Sequence, residues 1–127
     1  MFGIAIILDD VADDPAITRS SRALHTLFTR GRHSWIATIL STQKYRSLAP
    51  IIRYNCTDLV VFRLRSQAEL DAIMEENSAV YGEKTLRMMY NLATAARYGF
   101  FYIKMTATNP ADMFWKGFTS RMIVKDV

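Results

Sequence analysis

The chain of 127 residues is half apolar and 22% charged, which excludes an intrinsically disordered protein and predicts one domain with one hydrophobic core. Its net charge of +4 permits a nucleic-acid partner but does not require one. The single cysteine, Cys56, excludes an internal disulfide and suits a reducing intracellular compartment, and no apolar run approaches the ~20 residues of a membrane-spanning helix.

The first half of the chain predicts strands that alternate with helices. Phe2–Leu8 is a continuous apolar run rich in isoleucine, which is typical of a strand buried on both faces. Asp13-Asp14-Pro15 predicts the start of a helix, with an acidic cap before a proline in the first turn, and Gly31 predicts its end. Three more elements are predicted in chain order: a strand over Trp35–Leu40, a short helix or loop over Tyr45–Tyr54 and a strand over Asp58–Leu64.

The second half begins with a capping box, in which Ser66 and Glu69 satisfy each other's unpaired backbone N–H groups, and this predicts a helix to about Asn77. The remaining predicted elements are a helix over Glu83–Arg97, a strand over Phe100–Met105, a turn at Asn109-Pro110 and, over Trp115–Val124, a strand or a hairpin about Lys116-Gly117. This order predicts an α/β fold with a mostly parallel sheet flanked by helices, in which ligands bind at the carboxyl ends of the strands.

Polar side chains follow the first two predicted strands. Asp9 and Asp10 end the first strand, where one carboxylate can hold a hydrated Mg²⁺ and the next can orient or deprotonate an attacking water. Gln43 follows the second strand, where an amide can contact both a γ-phosphate and that water. Such residues can equally form an ordinary solvated turn, and taken singly they leave both interpretations open.

Two arginines, Arg30 and Arg32, lie at the end of the predicted helix and before the second strand. Their guanidinium groups can contact phosphate, as an arginine finger that reaches the nucleotide of a neighbouring subunit. The alternative is a favourable positive charge at the negative end of the helix dipole. His25 and His33 have no third ligand nearby in the sequence, which argues against a metal site.

Together these residues resemble a known family. Ile6-Ile7-Leu8-Asp9-Asp10 is similar to a Walker B strand, and Leu27–Ser66 resembles the FtsK/HerA superfamily of DNA-pumping P-loop ATPases. The matching features are Arg32-His33, Ser41-Thr42-Gln43, Ile52-Arg53-Tyr54-Asn55 and Phe62-Arg63. The Arg-Gly-Arg-His form and the paired aspartates are most similar to the DNA-packaging ATPases of poxviruses and their giant-virus relatives.

The resemblance implies a partial RecA/ASCE-like P-loop core that binds ATP and Mg²⁺. It implies that Asp9 holds Mg²⁺ through water, that Asp10 polarises the attacking water and that Gln43 senses the phosphate. It also implies that Arg30 or Arg32 contacts a nucleotide in trans, although the bacterial translocases carry an arginine at the position that Leu59 occupies here.

The same resemblance implies ATP-driven packaging of double-stranded DNA by a homo-oligomeric ring, in the host cytoplasm, a viral factory or the virion. Lys44, Arg46 and Arg53 would face the DNA phosphates through salt-sensitive contacts, and a solvated helix face is the alternative for all three. Alternative functions are a plasmid or conjugative DNA-pumping ATPase, a non-catalytic remnant kept for binding or assembly, and an unrelated α/β domain that binds a small molecule.

The sequence contains no G-x-x-x-x-G-K-[ST] loop, whose amides and lysine hold the phosphates in this fold. We therefore expect residues 1–127 to form the C-terminal portion of a single P-loop domain, from Walker B onward, with hydrolysis only when a Walker A segment is supplied upstream.

The isolated chain is predicted to bind Mg-ATP weakly or not at all. Isothermal titration calorimetry tests this, and binding at micromolar concentrations would contradict it.

Overall fold

A computed structural model describes residues 2–10, 14 and 21–125. The chain divides into two compact units, Met1–Cys56 and Thr57–Val127. No helix in the described part of the chain is long and apolar enough to cross a membrane.

Two parallel strands form the sheet of the first unit. β1 (Ile4–Asp9) pairs with β2 (Ile36–Ser41) in a register that runs from Ile4 opposite Ile36 to Asp9 opposite Ser41. A helix, α1 (Arg22–Arg30), lies between them in the sequence. A 3₁₀ turn at Tyr45–Ser47 and a short helix, α2 (Pro50–Asn55), follow β2.

Local signals explain where α1 begins and ends. The Ser21 hydroxyl accepts a hydrogen bond from the Leu24 N–H at 3.1 Å, as an N-cap does. Gly31 is the C-cap, as predicted, and a 3₁₀ turn then leads towards β2. Asp13 and Pro15, at which the sequence predicts a helix start, lie outside the described residues.

One face of the β1–β2 pair carries the core of the first unit, and the other face is open. The core consists of Leu24, Leu48, Ala49 and Ile52, with Leu8, Phe28, Leu40 and Tyr45 packed against it. Alternate residues of the strands point the other way, and there Ile7 is 69% exposed and Ile39 is 56% exposed. The prediction that the first strand is buried on both faces is therefore wrong for the described residues.

The second unit contains a four-stranded antiparallel sheet and two helices. Its strands are β3 (Asp58–Phe62), β4 (Phe100–Lys104), β5 (Phe114–Lys116) and β6 (Ser120–Arg121), in that spatial order. Its helices are α3 (Gln67–Glu76) and α4 (Glu83–Ala93), and α4 packs against β4 and β5. The largest fully buried side chains of this unit are those of Met74, Leu86, Phe101, Ile103 and Phe114.

The predicted α/β class is confirmed, but a mostly parallel RecA-like sheet is not. Among the described residues, only β1 and β2 pair in parallel, and β3 pairs antiparallel with β4. Two successive helices separate β3 from β4. They return the chain to the carboxyl end of β3, where Phe62 lies opposite Phe100. The next strand then runs in the opposite direction.

Turn and cap chemistry was predicted more closely than strand direction. The Ser66 hydroxyl caps α3 by accepting from the Glu69 N–H. The hairpin alternative about Lys116-Gly117 is confirmed, because Gly117 adopts a φ of 62° between β5 and β6.

The Tyr102 hydroxyl donates to the Asp58 carboxylate across β3 and β4. Burial, with a smaller contribution from this bond, raises the pKa of Tyr102 to about 12.

A buried tyrosine of α4 hydrogen-bonds to the backbone just after β3. Tyr90 on α4 is 4% exposed, and its hydroxyl accepts a hydrogen bond from the Leu64 N–H at 2.7 Å. Tyr90→Phe is expected to lower the free energy of unfolding by about 1–2 kcal/mol, because the Leu64 N–H loses its acceptor. Chemical denaturation measures this, with the exposed Tyr98→Phe as the matched control. An equal effect of the two substitutions would contradict the assignment.

Candidate functional site

The parallel register brings two acidic residues beside the end of β2. Asp9 lies opposite Ser41, and the Asp10 N–H donates to the Ser41 carbonyl at 2.9 Å. Both aspartates are exposed. The carboxyl ends of β1 and β2 therefore form one polar edge, as the sequence predicts for a parallel sheet.

Asp10 has an uncommon backbone conformation. Its φ is 54°, in the left-handed region, which short polar side chains enter more readily than bulky or branched ones. The chain turns sharply here, directly after the last residue of β1. This turn separates the two carboxylates, so that Asp9 ends the strand and Asp10 begins the loop.

Gln43 sits in the turn that follows β2, at the same polar edge. The Thr42 hydroxyl accepts a hydrogen bond from the Lys44 N–H at 2.9 Å and closes a tight turn about Gln43. The Gln43 side chain is exposed. Thr42 thus fixes the local backbone on both sides of Gln43.

The oxygen atoms at this edge suit a hard, hydrated cation. Carboxylates such as those of Asp9 and Asp10 are ligands that Mg²⁺ prefers, and Mg²⁺ usually keeps several waters and substrate oxygens in its shell. The described residues contain no group of three or more His, Cys, Asp or Glu side chains that could hold a metal by themselves. The two carboxylates suit, in their chemistry, a Mg²⁺ that keeps most of its own waters.

The two predicted arginines lie near the amino end of β2, at the opposite edge of the sheet from the two aspartates. Arg30 ends α1 and Arg32 lies in the 3₁₀ turn before β2, near the point where the Ile4 N–H donates to the Trp35 carbonyl. β2 runs from Ile36 at this edge to Ser41 at the other, a length of about 16 Å. The structure does not bring either arginine to Asp9, Asp10 and Gln43 within the first unit.

The three predicted DNA-binding residues differ in their surroundings. Lys44 and Arg46 are exposed and directly follow Gln43. Arg53 is half-buried, with its guanidinium carbon 5.6 Å from the centre of the Tyr45 ring and 5.9 Å from that of Tyr54. These cation–π contacts give Arg53 a packing role in the first unit, which its charge alone did not indicate.

Comparison with solved structures identifies the class of fold. The genome packaging NTPase B204 from Sulfolobus turreted icosahedral virus 2, solved in complex with ATP-gammaS, matches with a TM-score of 0.61 and 21% sequence identity. The match covers 83% of this chain and 48% of that one, so this chain spans about half the length of B204. At this identity the similarity shows the fold alone.

A family profile gives the more particular assignment. The profile of the poxvirus A32 protein family matches residues 1–106, and the chain belongs to this family. No curated protein sequence matches the chain. Family membership confirms the resemblance stated from the Arg-Gly-Arg-His form and the paired aspartates.

The left-handed backbone conformation of Asp10 determines which substitutions we expect to lower stability at this position. Asp10→Asn is expected to leave the melting temperature nearly unchanged, because asparagine tolerates this conformation. Asp10→Val is expected to lower the free energy of unfolding by about 1–2 kcal/mol, because a branched side chain is strained there. Thermal denaturation of both variants tests the backbone geometry, and equal stabilities would contradict it.

Proposed function

We propose that this chain is the Walker B portion of an ATPase that packages a viral double-stranded DNA genome. The observation that carries the proposal is the polar edge of the β1–β2 pair, where Asp9 and Asp10 lie beside the end of the strand that precedes Gln43. Membership in the poxvirus A32 family and a fold like that of a genome packaging NTPase support it.

Each residue of the polar edge has a separate role in this proposal. Asp9, at the end of β1, would hold Mg²⁺ through water, while Asp10 would orient the attacking water and accept its proton. Mg²⁺, when bound, neutralises charge on the β- and γ-phosphates of ATP. Gln43, in its tight turn, contacts the γ-phosphate. When hydrolysis removes that phosphate the contact is lost, and the segment that begins with Lys44 changes position.

We propose that a RecA-like core is completed by strands beyond those described. Within the described residues, β2 pairs only with β1 and β3 pairs only with β4, so each has an edge at which another strand can add. A parallel strand carrying a phosphate-binding loop would add at such an edge, and a helix would cover Ile7 and Ile39. Residues 1–127 would then be the later portion of a single P-loop domain.

Arg30 and Arg32 act between subunits in this proposal. Their edge of the sheet is about 16 Å from the carboxylates, a separation that favours contact with the nucleotide of a neighbouring subunit. A ring of identical subunits provides such a neighbour at every interface. Lys44, Arg46 and Arg53 would contact DNA phosphates, and the motor would work in the host cytoplasm, a viral factory or the virion.

The test uses a protein in which this chain is joined to a Walker A segment. Asp10→Asn is expected to lower ATP turnover by about 100-fold or more, with Mg-ATP affinity nearly unchanged, because only the group that activates water is lost. Gln43→Ala is expected to lower turnover while it also preserves binding. Turnover by single-turnover assay and affinity by calorimetry separate these effects.

The matched control is Glu83→Gln, which removes an exposed negative charge at the start of α4 in the second unit. It is expected to leave both turnover and affinity unchanged. Full turnover in Asp10→Asn would overturn the proposed catalytic role. Absence of hydrolysis in the unsubstituted joined protein would favour a non-catalytic member of the family.

A further inference from the structure

An open depression of about 490 Å³ lies in the second unit, far along the sequence from the polar edge. It lies between the end of β3 and the segment that follows α4. Residues that line it include Phe62, Arg63, Thr94, Ala96, Arg97 and Tyr98.

The segment that forms one wall makes a tight turn. The Gly99 N–H donates to the Ala96 carbonyl at 2.9 Å, and a Cβ at Gly99 would lie 2.6 Å from the Ala93 carbonyl oxygen. No other residue fits there without a shift of backbone. Tyr98, just before it, has a φ of 62°, which is uncommon for a large side chain. Strain of this kind concentrates at functional sites.

Two aromatic rings are presented to solvent by this geometry. Tyr98 is 78% exposed and Phe62 is 55% exposed. Phe62 is held from behind by Phe100, with ring centres 5.4 Å apart. Exposed aromatic rings are suited to stacking against a flat partner.

The charge of the depression is of one sign. Among the described residues that line it, the only charged ones are Arg63 and Arg97. The Arg63 Nη1 donates to the Thr94 carbonyl at 3.4 Å, and the Arg97 guanidinium carbon lies 4.9 Å from the centre of the Tyr98 ring. Guanidinium groups that are oriented beside aromatic rings favour a ligand with both a planar face and a negative charge.

We propose that this depression binds single-stranded nucleic acid. A base stacks on Tyr98, Phe62 offers a second stacking face, and the adjoining phosphates pair with Arg63 and Arg97, as in proteins that combine stacking with backbone charge. A duplex hides its base faces, and an acidic peptide lacks them, so neither uses both features. The proposal goes beyond the packaging reaction and does not depend on Asp9, Asp10 or bound nucleotide.

Fluorescence anisotropy with a labelled oligothymidylate of about 12 nucleotides tests the proposal on the whole 127-residue chain without ATP. Tyr98→Ala is expected to weaken binding about tenfold through loss of stacking, and Tyr98→Phe is expected to retain it. Arg63→Gln and Arg97→Gln are each expected to reduce the dependence of log affinity on log salt by about 1.

Lys104→Gln is the matched control, since it removes an exposed positive charge from the other end of β4. It is expected to leave affinity unchanged, and melting temperatures check that every variant is folded. Four results would each overturn the proposal: no binding of the oligonucleotide, equal binding by Tyr98→Ala, equal affinity for a duplex of the same length, or displacement by polyglutamate.

Discussion

Parallel hydrogen bonding between β1 and β2 determines the position of every residue at the polar edge. The register sets Asp9 opposite Ser41, and the same alignment turns Leu8 and Leu40 towards α1 and α2. A slip of one residue would move these leucines to the open face and expose the core of the first unit. Burial of apolar side chains thus maintains the alignment on which the two carboxylates and Gln43 depend.

The elements themselves could be predicted from sequence because their signals are local. Short isoleucine-rich runs, the serine before α3 and the glycine in the last hairpin each act within a few residues. Strand direction is not local, because it depends on how the helices between two strands pack. For this reason β3 was expected in a parallel sheet and instead pairs with β4 in the antiparallel sense.

For the candidate site, too, the residues could be predicted from the sequence but their arrangement could not. Asp9, Asp10 and Gln43 could be chosen from their positions at strand ends, but their proximity requires the pairing of β1 with β2. Charge alone did not separate Arg53, which stacks on aromatic rings, from exposed Lys44. The depression in the second unit was not foreseen, since Phe62 and Tyr98 are distant in sequence, although a glycine after Arg97-Tyr98 is a signal of a tight turn.

The edges of the two sheets differ in their defence against aggregation. β6 has only two residues and carries Arg121, features with which natural proteins discourage unwanted strand addition. β2, with the sequence IATILS, has six residues and no charge or proline to act as a gatekeeper. A strand with this composition is typical of a sheet interior. The open edge of β2 is therefore the place where a second copy of the chain would add by strand pairing at high concentration.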